Sequence, residues 1–236
     1  MYIVFIIILA IIFVLVPILD KINFLDKIFS SIDKTRNIRH LDYYVTIAYL
    51  WVLIIPVFIM CIIGGISLAD IGFRRLSFNH NIWFTVIVII IAFVLVSYEF
   101  VLPLVRIRKT REQILNSTQE DIDEYPQTSL EKLLYLLQVI SYALCEETIY
   151  RGFLLFLLYT IFPEIPLYLI GVIAFISFGI GHLYQGLRNA IQIGLFGVLS
   201  MGLLIVTGSL IPSILLHFFG ELVPAFIIKQ KHINQT

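Results

Sequence analysis

Charge is scarce in this chain, and what there is cancels: 14% of the 236 residues are charged, sixteen basic against sixteen acidic. A balanced total excludes the basic surplus that nucleic-acid binding or a polybasic lipid clamp would need. Cysteine is scarcer still. Cys61 and Cys145 are the two in the sequence, and both fall in apolar runs where a small buried hydrophobe is the plain reading, so neither a disulfide nor a reactive thiol is expected. There is no internal repeat and no low-complexity tract, and the C-terminal Ile233-Asn234-Gln235-Thr236 offers no cysteine for prenylation. What remains is apolar. Hydrophobic residues make up 60% of the chain, against about 45–50% in soluble domains. That surplus identifies an integral membrane protein.

Apolar runs of about 18 or more residues are candidate spanning helices, and seven are present, at approximately 2–19, 43–63, 82–105, 130–160, 165–185, 190–208 and 210–228. The expected fold is therefore all-α, a polytopic transmembrane helix bundle of about seven spans. The first run has no basic n-region and no small-x-small cleavage pattern, so it is expected to stay attached as a helix rather than leave as a signal peptide. Lys and Arg orient the bundle, because short loops rich in them stay cytoplasmic. With the N-terminus outside, thirteen of the sixteen basic residues face inward: five between 20 and 40, five between 106 and 132, then Arg188, Lys229 and Lys231. Arg74 and Arg75 fall outside, and Arg151 lies within the bundle. The chain divides into N-terminal transmembrane helices (1–105), a cytoplasmic amphipathic linker (106–129), a second helical region (130–228) and a cytoplasmic tail (229–236). Thr128-Ser129-Leu130-Glu131 has capping-box spacing, so the fourth helix starts in water. A helix from 129 to 160 would be roughly 48 Å long and would carry Glu146 near its middle, against a hydrocarbon core of roughly 30 Å.

Charges at that depth are the informative ones. Glu146, Glu147 and Arg151 lie inside the largely apolar run from Leu133 to Phe162. Each ionisable residue at membrane depth costs at least about 2.5 kcal/mol on the lenient insertion scale, so three together mark a site. Glu147 and Arg151 are four apart and share a helix face, where they can pair, whereas Glu146 is turned by about 100° and lacks that partner. Two close carboxylates in a poorly solvated site cannot both ionise easily, which suits one of them to general acid/base work. His182 follows at the end of the fifth span, and His217 and Glu221 are four apart in the seventh. A lone histidine at a helix end is ordinarily an interfacial residue; the recurrence of such groups in three spans argues otherwise. Glu99 reads as a snorkelling residue near the cytoplasmic boundary and is left out of the site.

The ordered set Glu146-Glu147-x-x-x-Arg151-Gly152, Phe178-x-x-x-His182 and His217-x-x-x-Glu221 resembles the three motifs of the CPBP family, the CAAX-protease and bacteriocin-processing (Abi) intramembrane proteases. The likeness covers roughly residues 130 to 228. It implies a helical bundle with a membrane-buried peptidase site, in which the glutamate matching Glu146 activates water and the histidines matching His182 and His217 complete the centre. Glu147 and Arg151 match supporting residues. The family's third motif usually ends in Asn or Asp, where this chain has Glu221.

Two mechanisms fit these groups. In one, Glu146 takes a proton from water while His182 or His217 stabilises the oxyanion. In the other, His182, His217 and a carboxylate such as Glu146 hold a divalent metal such as zinc, in a metalloprotease-like His₂Glu pattern. The spacing is not that of the His-Glu-x-x-His zinc proteases. Partners implied are the lipid bilayer and a membrane-associated peptide or lipidated protein, with no nucleic acid. The rival readings are a non-proteolytic membrane scaffold or bacteriocin self-immunity protein of the same family, and a transporter, whose paired inverted halves are not visible. The Ile-rich, Lys-using composition is compatible with a low-GC bacterium, and a multi-pass plasma-membrane location is expected.

Overall fold

A computed structural model describes residues 39–77, 82–98, 126 and 128–233. The described residues are helical throughout, with no strand: α1 (Arg39–Gly64), α2 (Ile82–Val96), α3 (Ser129–Glu147), a π-helical stretch (Thr148–Phe153), α4 (Leu154–Ile161), α5 (Leu167–Gly181), a single 3₁₀ turn (Leu183–Gln185), α6 (Leu187–Thr207) and α7 (Ile211–Ile233). Because α3, the π stretch and α4 run on without a break, the helices form six rods. Two segments, Leu41–Gly64 and Leu187–Thr207, are long and apolar enough to cross a bilayer unaided; Ile82–Val96, Leu167–Gly181 and Ile211–Leu222 are shorter apolar helices. The expected first span, Glu99, the end of the third span and nearly all of the linker 106–129 lie outside the described residues. The tail expected from 229 instead begins inside α7, which continues to Ile233.

Helix α1 shows why the chain prefers lipid. Leu50, Ile54, Val57 and Cys61 recur at helical spacing and are buried, while Val52, Ile55, Ile59, Ile62 and Ile63 are exposed, Ile62 to 80%. A helix that is apolar all round, packed on one stripe and open on the rest, has lipid as its natural solvent. The buried stripe packs in one cluster with Cys145, Ile149, Phe153 and Leu157 of the long central rod. Trp51 Nε1 donates to Ser141 Oγ at 3.1 Å across that contact.

The rod begins as its sequence dictates. Thr128 Oγ1 accepts from the Glu131 N–H at 3.1 Å, and Glu131 Oε2 accepts from the Thr128 N–H at 2.9 Å, closing a reciprocal capping box. Helices α5 and α6 approach most closely, through small residues: a Cβ at Gly197 would stand 2.9 Å from the Ala174 carbonyl oxygen. Small side chains let backbones meet where lipid supplies no hydrophobic drive. At the other end of the bundle, the loop after α1 folds over the α6–α7 turn. Leu210 N–H donates to Gly72 O at 2.8 Å, Ser77 N–H to Thr207 O at 2.7 Å, and Arg74 Nε to Gly208 O at 2.5 Å. Gly72 and Gly208, with φ of 93° and 63°, supply the left-handed turns this clamp requires.

Candidate active site

The central rod carries the acidic pair, and its last α-helical turn separates the two carboxylates. Glu147 is fully buried and points into the bundle, whereas Glu146 lines a cavity of about 450 Å³. Immediately after Glu147 the backbone widens: the Leu154 N–H reaches back five residues to Ile149 O, and Thr148 Oγ1 donates to Leu144 O at 2.6 Å. π-bulges of this kind occur frequently at functional sites. Here the widened turn carries Arg151, and it presses Gly152 so close to the loop that a Cβ there would overlap the carbonyl oxygen of Ile71.

Around Glu147 four elements meet. Arg151 Nη1 lies 3.2 Å from Glu147 Oε1, His217 Nδ1 of α7 lies 2.9 Å from the same oxygen, and Ser200 Oγ of α6 donates to Oε2 at 2.6 Å. Ser213 Oγ in turn donates to Ser200 O at 2.8 Å. A carboxylate only accepts, so the His217 proton is assigned to Nδ1. Its other nitrogen, Nε2, then faces Glu146 Oε2 at 3.9 Å. That gap is too long for a direct hydrogen bond and is one that a single water can bridge.

His182, Glu146, His217 and Glu221 line the same cavity, with Phe178, Phe196, Tyr142 and the amides of Gln185, Asn189 and Gln192. His182 stands at the end of α5, where its Nδ1 is 2.9 Å from Phe178 O. His182 belongs by sequence to the inner end of its span and His217 to the outer part of its own. They nevertheless meet one cavity, because α5 is short, at 15 residues, and Phe178 packs against both rings with centroid distances of 4.8 and 6.2 Å. Glu221 is exposed to the cavity. The side chain hydrogen-bonded to His217 is Glu147, from the central rod, while Glu221 shares the cavity wall with it.

The side chains of His182, His217 and Glu146 line one cavity but are not drawn together as a zinc site. Among the described residues no three His, Cys, Asp or Glu side chains are gathered as a metal ion requires. Each histidine has its Nδ1 bonded, to Phe178 O and to Glu147, which leaves Nε2 as the open nitrogen of each ring. Ser200, Ser213 and Phe196 are the contributors that the sequence conceals. A serine in an apolar helix is visible as a polar residue, but its partner lies 53 positions away, and no periodicity links them.

The matched region and the site coincide. Residues 128–223, less than half of the chain, match the family described as type II CAAX prenyl endopeptidase, Rce1-like. No curated protein and no solved structure matches the chain. The cavity's Glu146, His182, His217 and Glu221 all lie within the region that is similar to that family.

Proposed function

We propose that the chain is an endopeptidase working within the plasma membrane on a membrane-associated peptide or prenylated protein, with Glu146 activating the attacking water. The observation that carries this reading is the meeting of Glu146 and His217 Nε2 across 3.9 Å on the cavity wall. The family match supports the reaction class. The cavity's volume lies within the roughly 300–1,000 Å³ typical of ligand pockets. A seven-span bundle with the N-terminus outside and residues 130–228 as the catalytic region completes the proposal.

The residues present divide the work. Glu146 takes one proton from water as the water oxygen bonds to the scissile carbonyl carbon, and the carbonyl oxygen becomes an oxyanion. His217, held by Glu147, presents Nε2 to the reacting atoms; as an imidazolium it donates to the oxyanion, and His182 lies on the same wall for that role. Collapse of the tetrahedral intermediate breaks the C–N bond, and the proton held by Glu146 passes to the leaving amine. Arg151 and Ser200 fix Glu147, and through it the tautomer of His217. No step passes through a metal.

The test uses purified protein in liposomes and a quenched-fluorescent farnesylated CAAX peptide. Wild type cleaves it. Glu146→Gln, which keeps the shape and loses the base, is slower by about 10²-fold or more. Equal cleavage by the two proteins would overturn the mechanism and favour the scaffold or self-immunity role.

A further inference from the structure

Arg151 is held in an unusual way. Its side chain is 1% exposed, and neither Nη1 nor Nη2 makes a hydrogen bond, although Nη1 stands 3.2 Å from Glu147 Oε1. A buried guanidinium needs something in place of water. The second partner is aromatic: its Cζ lies 3.8 Å from the centroid of Phe178 and 5.6 Å from that of Phe196. Phe178 lines the cavity beside Glu146, and Arg151 does not.

We propose that Phe178 is a positioning residue of the hydrolytic site, an aromatic partition that holds the Arg151 guanidinium by its π face and keeps it out of the cavity. The proposal rests on the reading of Glu146 as the water-activating base. Geometry gives the residue one main-chain contact and three further ring contacts. Its main-chain oxygen takes His182 Nδ1 at 2.9 Å, its ring meets His182 and His217 edge to face, and Tyr150 braces it from behind at 5.1 Å. Remove the π face and Arg151 has two unmet donors with a carboxylate across the gap. Pairing with Glu146 would occupy the base and withdraw the cation from Glu147, loosening His217. An aliphatic side chain of similar volume fills the space and lacks the quadrupole that attracts a cation.

Fluorinated phenylalanines separate charge from shape, because each added fluorine weakens the ring's negative face with little change in size. Phe178 is replaced by the mono-, di- and trifluoro analogues in the full-length protein, and two quantities are read: the melting temperature in detergent, and kcat and KM on the farnesylated CAAX peptide in liposomes. The melting temperature falls stepwise with fluorine number. In parallel kcat falls, to about tenfold below wild type at three fluorines, with KM changed less than about twofold. Phe178→Leu falls at least as far as the trifluoro analogue. A flat series in both readouts overturns the proposal, as does a series in which KM rises while kcat holds, because Phe178 would then be a substrate contact. Glu146→Gln is assayed beside them. Unimpaired cleavage by that variant removes the hydrolytic reading, while the melting series still decides whether the ring holds the cation.

Discussion

Ser200 is the residue whose removal isolates the buried network from the cavity. It does not line the cavity, yet its hydroxyl donates to Glu147 Oε2 at 2.6 Å from a fully buried position. Ser200→Ala leaves that carboxylate oxygen one donor short, a loss of about 1–3 kcal/mol. The melting temperature in detergent is expected to fall, and kcat with it, while Ser200→Thr, which keeps the hydroxyl, recovers part of both. An alanine variant that melts and turns over like wild type would show that the bond carries no weight. At this scale the sequence was partly legible. Spacing alone placed Glu147 beside Arg151 and turned Glu146 away from both, because helix geometry is local. The partners of Glu147 on α6 and α7 were not legible, because they depend on how three helices cross.

Elements were legible wherever a rule of short range governs them. The capping box that starts α3 was visible as Thr128-x-x-Glu131, and the end of α5 at His182 lies close to where the apolar run weakens. The π turn was not visible, since nothing in Thr148-Ile149-Tyr150-Arg151-Gly152-Phe153 breaks helical periodicity; the packing of Gly152 on Ile71 accompanies it. Gly152→Ala pushes a methyl into that backbone contact, and overpacking of this kind costs about 1–3 kcal/mol. Lower accumulation and an earlier melt are expected, and a variant as stable as wild type would mean that the loop yields freely. The loop itself carries a pH-sensitive turn. Asp70 is held below the usual carboxylate range by hydrogen bonds from the Ser67 hydroxyl and main chain, at 2.7 and 2.8 Å, with Arg74 adding a smaller attraction. A depressed carboxylate contributes stability in full above its ordinary value, and loses it as pH falls through the lower folded one. Asp70→Asn should therefore melt earlier than wild type at pH 6, with the gap closing as the pH falls below the ordinary carboxylate range. A gap independent of pH would contradict this account.

On the scale of the whole molecule, the proposed orientation places the clamp loop outside and the α5–α6 turn inside. Leu68 and Leu187 are both exposed. In intact cells Leu68→Cys should react with an impermeant maleimide and Leu187→Cys should not, against a background in which Cys61 and Cys145 are buried; the reverse pattern would invert the bundle. Arg74 is one of the few basic residues assigned to the outer side, and its place is accounted for by the bond to Gly208 O. Among the described residues six rods follow six of the seven apolar runs, so their layout was legible from hydropathy, whereas the shared cavity was not: it depends on the shortness of α5 and on Phe178. The π turn has one more effect, which concerns phase. A single extra residue in a rung offsets everything after it by about 100° around the rod's axis. Upstream, Ser141 and Cys145 face α1, and downstream Leu154 and Leu158 face the cluster of Ile170, Ala174 and Met201. The α1 cluster spans the turn, holding Cys145 before it and Leu157 after it, while Leu154 and Leu158 serve a second neighbour. Deleting one residue between Thr148 and Phe153 would turn everything after it by about 100° and bring one of those faces against the wrong partner.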